Sequence, residues 1–356
     1  MLCAADYEHA AAQVLDAGVM HYIAGGAGEE RSLSANRQAF ARRAILPRLL
    51  REVAGGHTGL SLLGRTRPHP LLLAPVAFQR LAHDLGEPET ARGAEATDTV
   101  MTVSTLSSLS LETVAACAGP RWFQLYFQPS REVTADLLRR AVASGYEAIL
   151  LTADAPIQSP SRRAIRAGFV RPDHVRPANL VGYPEPAQMV LSAEQSLILD
   201  GLMREAPTRA DLAWLIEASP LPVLVKGVLR ADDAFALKAA GVAGIVVSNH
   251  GGRALDGVPA PLDVLPAIRA AVGPDYPVLL DSGIRSGSDA FMALALGADA
   301  VMIGRLQVYA LAVAGALGVA HMIRLLREEL ELCMALAGCA TLADITPDLL
   351  CEAAPC

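Results

Sequence analysis

The stretch Leu221-Pro222-Val223-Leu224-Val225-Lys226-Gly227-Val228, followed after a short interval by Gly244-Ile245-Val246-Val247-Ser248-Asn249-His250-Gly251-Gly252-Arg253, holds one complete unit of the fold. An apolar run ends in a lysine. A helix-length amphipathic segment, 231–240, follows, and a second apolar run ends in Ser-Asn-His. Neither run alternates apolar with polar residues, so both read as strands covered on both faces. The same rhythm recurs through the chain. Runs at 71–74, 101–104, 122–126, 148–152, 223–226, 244–248, 278–281 and 300–304 make eight, with amphipathic stretches such as 131–144, 261–271 and 286–296 between them. Eight strand-then-helix units in about 240 residues predict an α/β fold of the closed (β/α)8 TIM barrel type rather than an open doubly wound sheet.

The rest of the chain is read outward from that barrel, with 1–356 taken as one barrel domain. Residues 1–50 precede the first run, look helical and carry the turn Ala24-Gly25-Gly26-Ala27-Gly28. Residues 170–208, inserted after the fourth run, contain Pro172, Pro177, Pro184, Pro186 and Pro207. A long insertion on the catalytic face of a barrel is a candidate lid loop. Residues 306–320 are apolar but short and rich in Ala and Gly, and read as a buried helix rather than a membrane span.

Composition narrows the function. The 356 residues are 52% hydrophobic and 19% charged, too apolar for a disordered chain. A net charge of −7 argues against nucleic acid as the main partner. The start of the chain carries Asp6, Glu8 and Asp16, unlike a secretory signal. Cys3, Cys117, Cys333, Cys339, Cys351 and Cys356 form no C-x-x-C pair and have no histidine cluster beside them. Reduced thiols, a cytoplasmic location and no bound metal are therefore expected.

The ends of the apolar runs carry the chemistry. They finish in Ala77, Ser104, Gln124-Leu125-Tyr126, Thr152-Ala153-Asp154, Lys226, Ser248-Asn249-His250, Asp281-Ser282-Gly283 and Gly304-Arg305. In a barrel these ends open onto one face, so their polar groups converge. The loops Asp281-Ser282-Gly283-Ile284-Arg285 and Gly304-Arg305 follow the seventh and eighth runs, where barrels often hold a phosphate. Arg285 and Arg305 add bidentate donors there. Lys226 at a buried strand end demands an anionic or carbonyl partner. His250, three residues before Arg253, sets a base beside a cation that can hold a carboxylate, and Asp154 is a candidate to orient the imidazole. Tyr126 ends a strand. Tyr22 joins the site only if the N-terminal segment folds over the mouth.

These motifs resemble one family. Val246-Val247-Ser248-Asn249-His250-Gly251-Gly252-Arg253-Ala254-Leu255-Asp256, the LPVLVKGV segment at 221–228, FQLY at 123–126 and ALGADAVMIGR at 295–305 are similar to the FMN-dependent (S)-2-hydroxy acid oxidases and dehydrogenases. The resemblance runs from about residue 22 to residue 346, and the segments at 75–81 and 105–108 look most like hydroxymandelate oxidase. It implies FMN at the barrel mouth. Ala77, Ser104, Gln124, Thr152 and Ser248 would contact the flavin, and Lys226 would stabilise its anionic reduced form. Asp281, Gly283, Arg285, Gly304 and Arg305 would hold the ribityl phosphate. His250 would be the general base, paired with Asp154, taking a proton from the hydroxyl or the α-carbon. Arg253 would bind the substrate carboxylate with help from Tyr22 and Tyr126. The family places a second carboxylate-binding Arg eight residues before a Phe. Counting back from Phe169 gives Ser161, so Arg162 or Arg163 would have to serve. The resemblance further implies a homo-tetramer or larger assembly, oxygen as acceptor and, with Leu106 leaving room, a mandelate-like substrate. The other reading is a tailoring oxidase acting on an unusual or carrier-bound acid, suggested by Ser161.

Overall fold

The computed structural model describes residues 1–184 and 190–353, so Pro186 and Cys356 lie outside the described residues. Twelve strands and twelve α-helices are described within them. The strands are β1 (Arg43–Ile45), β2 (Leu60–Leu62), β3 (Arg65–Arg67), β4 (Leu71–Leu73), β5 (Met101–Ser104), β6 (Arg121–Leu125), β7 (Ile149–Thr152), β8 (Val223–Val228), β9 (Gly244–Val247), β10 (Val278–Leu280), β11 (Ala300–Ile303) and β12 (Leu350–Glu352). The helices are α1 (Asp6–Val14), α2 (Ala17–Ala24), α3 (Arg31–Ala41), α4 (Glu87–Glu95), α5 (Leu111–Ala115), α6 (Arg131–Ala143), α7 (Arg162–Arg166), α8 (Arg209–Ala218), α9 (Ala231–Ala239), α10 (Pro261–Val272), α11 (Gly287–Ala295) and α12 (Arg305–Ala337).

Strands β4 to β11 close in sequence order into one parallel barrel, with β11 paired back onto β4. The period-2 alternation of a strand decides which side chains enter it. Leu72, Trp122, Leu150, Leu224, Val246, Leu279 and Met302 form the buried cluster inside the barrel. Their neighbours Leu71, Phe123, Leu151, Val225, Val247, Leu280 and Ile303 belong to the larger core between strands and helices. Leu62, from the β2–β3 hairpin, joins the inner cluster.

One further step of two along each strand reaches the mouth. From Leu72, Thr102, Trp122, Leu150, Leu224, Val246, Leu279 and Met302 it leads to Ala74, Ser104, Gln124, Thr152, Lys226, Ser248, Asp281 and Gly304. Seven of these eight are buried, Ala74 through Asp281. A barrel that fills its middle with apolar side chains therefore presents one ring of mostly polar groups at its upper end.

The 1–50 segment contains α1, α2, α3 and then β1, which pairs antiparallel with β12. The apolar segment expected at 306–320 is longer than the sequence suggested. It belongs to the 33-residue α12, bent where Ala314 and Gly315 leave helical geometry. This helix is long and apolar enough by composition to cross a membrane, yet 61% of its most apolar window is buried. It packs against α1, α4 and α11 as a core helix.

The 170–208 segment, the candidate lid, is described except for residues 185–189. No described residue of that segment lines the central cavity. Asn179 staples its first half down: its Nδ2 donates to the Ser104 and Thr105 carbonyls, each at 3.2 Å, and its Oδ1 accepts from Leu111 N at 2.7 Å. Arg171 stacks over Phe78 at 4.5 Å.

Candidate active site

The ring residues and the loops above them enclose one cavity. Its lining includes Ala77, Ser104, Gln124, Thr152, Lys226 and Asp281, and also Tyr22, Tyr126, His250, Arg253, Arg285 and Arg305. Tyr22 reaches it because α2 lies across the mouth. Arg253 Nη1 donates to the Tyr22, Ile23 and Gly25 carbonyls at 2.8, 3.1 and 2.9 Å. These carbonyls at the end of α2 form the negative pole of that helix, which suits a guanidinium.

His250 and Asp154 form the acid–base pair. His250 Nδ1 lies 3.0 Å from Asp154 Oδ1. Because a carboxylate only accepts, Nδ1 carries the proton and Nε2 keeps its lone pair. His250 adopts φ 60°, strained for a residue with a side chain, and its N–H donates to Ser248 Oγ at 3.0 Å. Gly227 has φ 105°, and a Cβ there would stand 2.4 Å from Asp154 Cβ. The Lys-Gly step on β8 thus makes room for the aspartate. Burial opposes ionisation of Asp154, but Lys226 and the His250 hydrogen bond outweigh it and hold the carboxyl below its ordinary range.

Lys226 is buried and bonded on two sides, with Nζ 2.8 Å from Ser248 Oγ and 3.2 Å from Asp281 Oδ2. Burial disfavours its charge, yet Asp281, Asp154 and Tyr126 raise its pKa above the usual lysine value. Burial pushes Tyr126 up to about 12, so its hydroxyl stays protonated as a donor.

Two polar groups are conspicuously unsatisfied. Gln124 Oε1 accepts from Ser104 Oγ at 3.0 Å and Thr105 N at 3.3 Å, which fixes the amide orientation. Its Nε2 is buried without a partner, as is Thr152 Oγ1. Such groups typically cost about 1–3 kcal/mol each unless something bonds to them. Both line the cavity, and both suit the polar edge of an isoalloxazine ring. Arg285 and Arg305 also line the cavity, Arg305 sharing the Ile23 and Gly25 carbonyls with Arg253. Arg305 is pushed down to about 9 by burial, then by Arg253 and Arg285. It remains protonated at neutral pH and donates through Nε, Nη1 and Nη2 to the Ile23, Gly251 and Gly25 carbonyls at 3.0, 3.0 and 2.8 Å, so burial leads the shift and the neighbouring cations add to it. Gly283 and Gly304 line the cavity with them. A phosphate fits there.

Several expected residues take other places. Arg162 and Arg163 do not face the cavity: they pair with Glu29 and Glu30 on the outer side of α7. Neither replaces the expected second arginine, because the backbone of a helix start fixes the direction of each side chain. Ser161 caps α7, accepting from Ala164 N at 3.3 Å. Ser248 does not line the cavity either. It is fully buried and holds Lys226 and the His250 backbone. Asp281 reaches the cavity but is ion-paired with Lys226 and accepts from Ser282 Oγ at 2.7 Å. A carboxylate so placed repels a phosphate and suits hydroxyl groups instead. Gln158 and Ile23 also line the cavity and were not singled out in the sequence. Gln158 sits in the loop that begins at Asp154, and that position was its only signal.

A model of the family described as FMN-dependent dehydrogenase matches residues 11–352. This chain belongs to that family. An L-lactate oxidase of Alicycliphilus denitrificans is 61% identical over 348 residues, covering 98% of this chain and 95% of the relative. The 4-hydroxymandelate oxidase of Amycolatopsis orientalis is 43% identical over 337 residues, covering 94% of each. A solved mandelate oxidase with benzoyl-formic acid superimposes with a TM-score of 0.90 at 40% identity, covering 99% of this chain and 98% of that one. The cofactor of this family member is FMN, and its chemistry is the oxidation of a 2-hydroxy acid. The unpartnered Gln124 and Thr152 groups and the crowded arginines are the places in the cavity where FMN fits.

Proposed function

We propose that this chain oxidises (S)-2-hydroxy acids with an apolar, mandelate-like side chain to the 2-oxo acids, oxygen being the final electron acceptor. One observation carries the choice of side chain. Beyond His250 the cavity is walled by Val76, Phe78, Leu81 and Leu106, with no charged group among them. A methyl group underfills such a wall, and each missing methylene is worth about 1–3 kcal/mol in a hydrophobic pocket.

The remaining roles follow from the geometry. Arg253 and Tyr22 take the substrate carboxylate, and Tyr126 donates its hydroxyl. His250 Nε2 accepts a proton from the substrate, and Asp154 stabilises the cation that results. FMN supplies the two-electron acceptor. Lys226 places a fixed positive charge in the ring of strand ends, where negative charge develops during oxidation.

A second reading, L-lactate as substrate, is favoured by the 61% identity to an L-lactate oxidase. Anaerobic flavin bleaching by (S)-mandelate, 4-hydroxymandelate, L-lactate and glycolate separates the two. A kcat/KM for mandelate at least tenfold above that for lactate supports the first reading, and the reverse order supports the second.

Assembly and location belong to the same proposal. Leu46, Leu49 and Leu50 are exposed together ahead of the barrel, an apolar patch in keeping with a homo-tetramer or larger assembly. Light scattering on the purified protein tests this. The free thiols of Cys3, Cys117, Cys333, Cys339 and Cys351 are in keeping with a cytoplasmic protein.

A further inference from the structure

The cavity has a neighbour at Arg253. A second chamber shares Tyr22, Gln158 and Arg253 with it and continues past Gly25, Ser161 and Ile165. The junction is the place where the proposed function sets the carboxylate. The chamber floor is made of small groups, Gly25, Gly26 and Ala164, and one side is the Tyr22–Phe169 stack, with rings 4.4 Å apart. Its outer lining reaches solvent: Gln158 and Pro160 are exposed, and Ile165 is 64% exposed.

The charge in this chamber is unlike that of a site closed around a carboxylate. Among the described residues Arg253 is its only charged lining residue, and one guanidinium nitrogen is already committed to three backbone carbonyls. Arg162 and Arg163, one turn away, are neutralised by Glu29 and Glu30. Ser161 Oγ accepts the helix-cap bond from Ala164 N and lies against Gly25. Gln158 makes no side-chain hydrogen bond among the described residues, and its amide is therefore available to a ligand as donor and acceptor.

We infer that this chamber is an exit for substrates extended at the carboxyl group, and that the chain oxidises N-substituted amides of (S)-2-hydroxy acids as well as the free acids. The inference rests on the 2-hydroxy acid reading above. The acyl carbonyl oxygen accepts from Arg253 and Tyr22. The amide N–H donates to Gln158, and the N-substituent runs between Phe169 and Ile165 to solvent. The reaction at the α-carbon is the same. The carbinol gives up two protons, one from the hydroxyl and one from the α-carbon, together with two electrons, and becomes a 2-oxo amide. FMN takes the electrons, and oxygen takes them from it to give hydrogen peroxide. The C–N bond is neither made nor broken.

The test compares (S)-mandelate, (S)-N-butylmandelamide and butyl (S)-mandelate in anaerobic bleaching of the holoenzyme, with the 2-oxo amide identified by mass. The expected kcat/KM for the N-butyl amide is within about tenfold of that for mandelate, and the ester, which lacks the N–H, is about tenfold poorer than the amide. In Ile165→Trp the amide-to-mandelate ratio should fall at least tenfold as the indole plugs the exit. In Gln158→Leu the amide-to-ester preference should disappear. Mandelate turnover without amide turnover overturns the exit, as does an unchanged ratio in Ile165→Trp. If none of the three compounds bleaches the flavin while L-lactate does, the mandelate-like reading fails, and the exit is overturned if N-butyl (S)-lactamide is not turned over either.

Discussion

His250 Nδ1 and Asp154 Oδ1 stand 3.0 Å apart although 96 residues separate them, joining the loop after β9 to the loop after β7. The second carboxylate oxygen of Asp154 is buried with no partner. The aspartate is therefore committed to the imidazole and to the nearby Lys226 charge, and Nε2 of His250 is left facing the cavity.

His250→Ala should retain FMN and slow anaerobic flavin reduction by roughly 10²–10⁴-fold. Asp154→Asn should keep the shape of the pair but remove the charge that stabilises the protonated imidazole. A loss on the order of 10²-fold is expected, since an amide can also turn the ring out of line. Stopped-flow absorbance of the yellow protein reads both. Reduction at the wild-type rate in His250→Ala would assign the base elsewhere.

Arg285 and Arg305 line the same cavity, and repulsion from Arg253 and Arg285 adds to burial in lowering the pKa of Arg305. Glu8 on α1 is the carboxylate nearest to relieving it, 3.7 Å from Arg285 Nε. A bound phosphate should therefore stabilise the apoprotein. Inorganic phosphate should raise Tm of flavin-free protein, and Arg285→Met should weaken FMN binding by about tenfold to a hundredfold, the range of one charge-assisted hydrogen bond. Equal FMN affinity in Arg285→Met would place the phosphate at another end of the cavity.

The strand ends show how far the sequence could be read. The run at 101–104 coincides with β5, while those at 244–248, 278–281 and 300–304 each extend one residue past β9, β10 and β11. The extra residues are Ser248, Asp281 and Gly304, which belong to the ring at the mouth. Asp281 and Gly304 face the cavity, whereas Ser248 turns inward to hold Lys226 and the His250 backbone, and hydrophobic pattern alone cannot show either. His250, Lys226 and Arg253 were legible because a charged group at a buried strand end needs a reason. Arg162 and Arg163 were misread because their partners, Glu29 and Glu30, come from the other end of the chain. The β2–β3 hairpin and the β1–β12 pair were missed, each strand being only three residues long.

Lys226 and Asp281 are a buried pair, with side chains 4% and 8% exposed. Removing one partner strands the other charge, which typically costs about 3–5 kcal/mol. Lys226→Met should lower Tm by several degrees and slow flavin reduction. The double variant Lys226→Met, Asp281→Asn should recover most of the Tm but not the rate. Recovery of both would reduce Lys226 to a structural counter-ion.

The last prediction concerns acid stability and the anchoring of the inserted segment. Arg140 on α6 grips Glu112 on α5 through two bonds, Nε to Oε1 at 2.7 Å and Nη2 to Oε2 at 3.0 Å. Its Nη1 donates to the Asn179 carbonyl at 2.9 Å and to the Tyr183 hydroxyl at 3.1 Å. The Arg140 hydrogen bond holds the Glu112 carboxyl at about 2, below its ordinary 4.5. A depressed carboxylate stabilises the fold above the unfolded value and loses that contribution as pH falls through the folded one. The Tm gap between wild type and Glu112→Gln should thus be full at neutral pH and close between about 4.5 and about 2. Glu112 is 46% exposed, so screening limits the gap to about 1 kcal/mol or less. Arg140→Ala removes the Asn179 and Tyr183 bonds as well, and should cost more at neutral pH. It should also speed amide exchange in residues 178–183, and a loss no greater than that of Glu112→Gln would show that Asn179 holds the segment unaided.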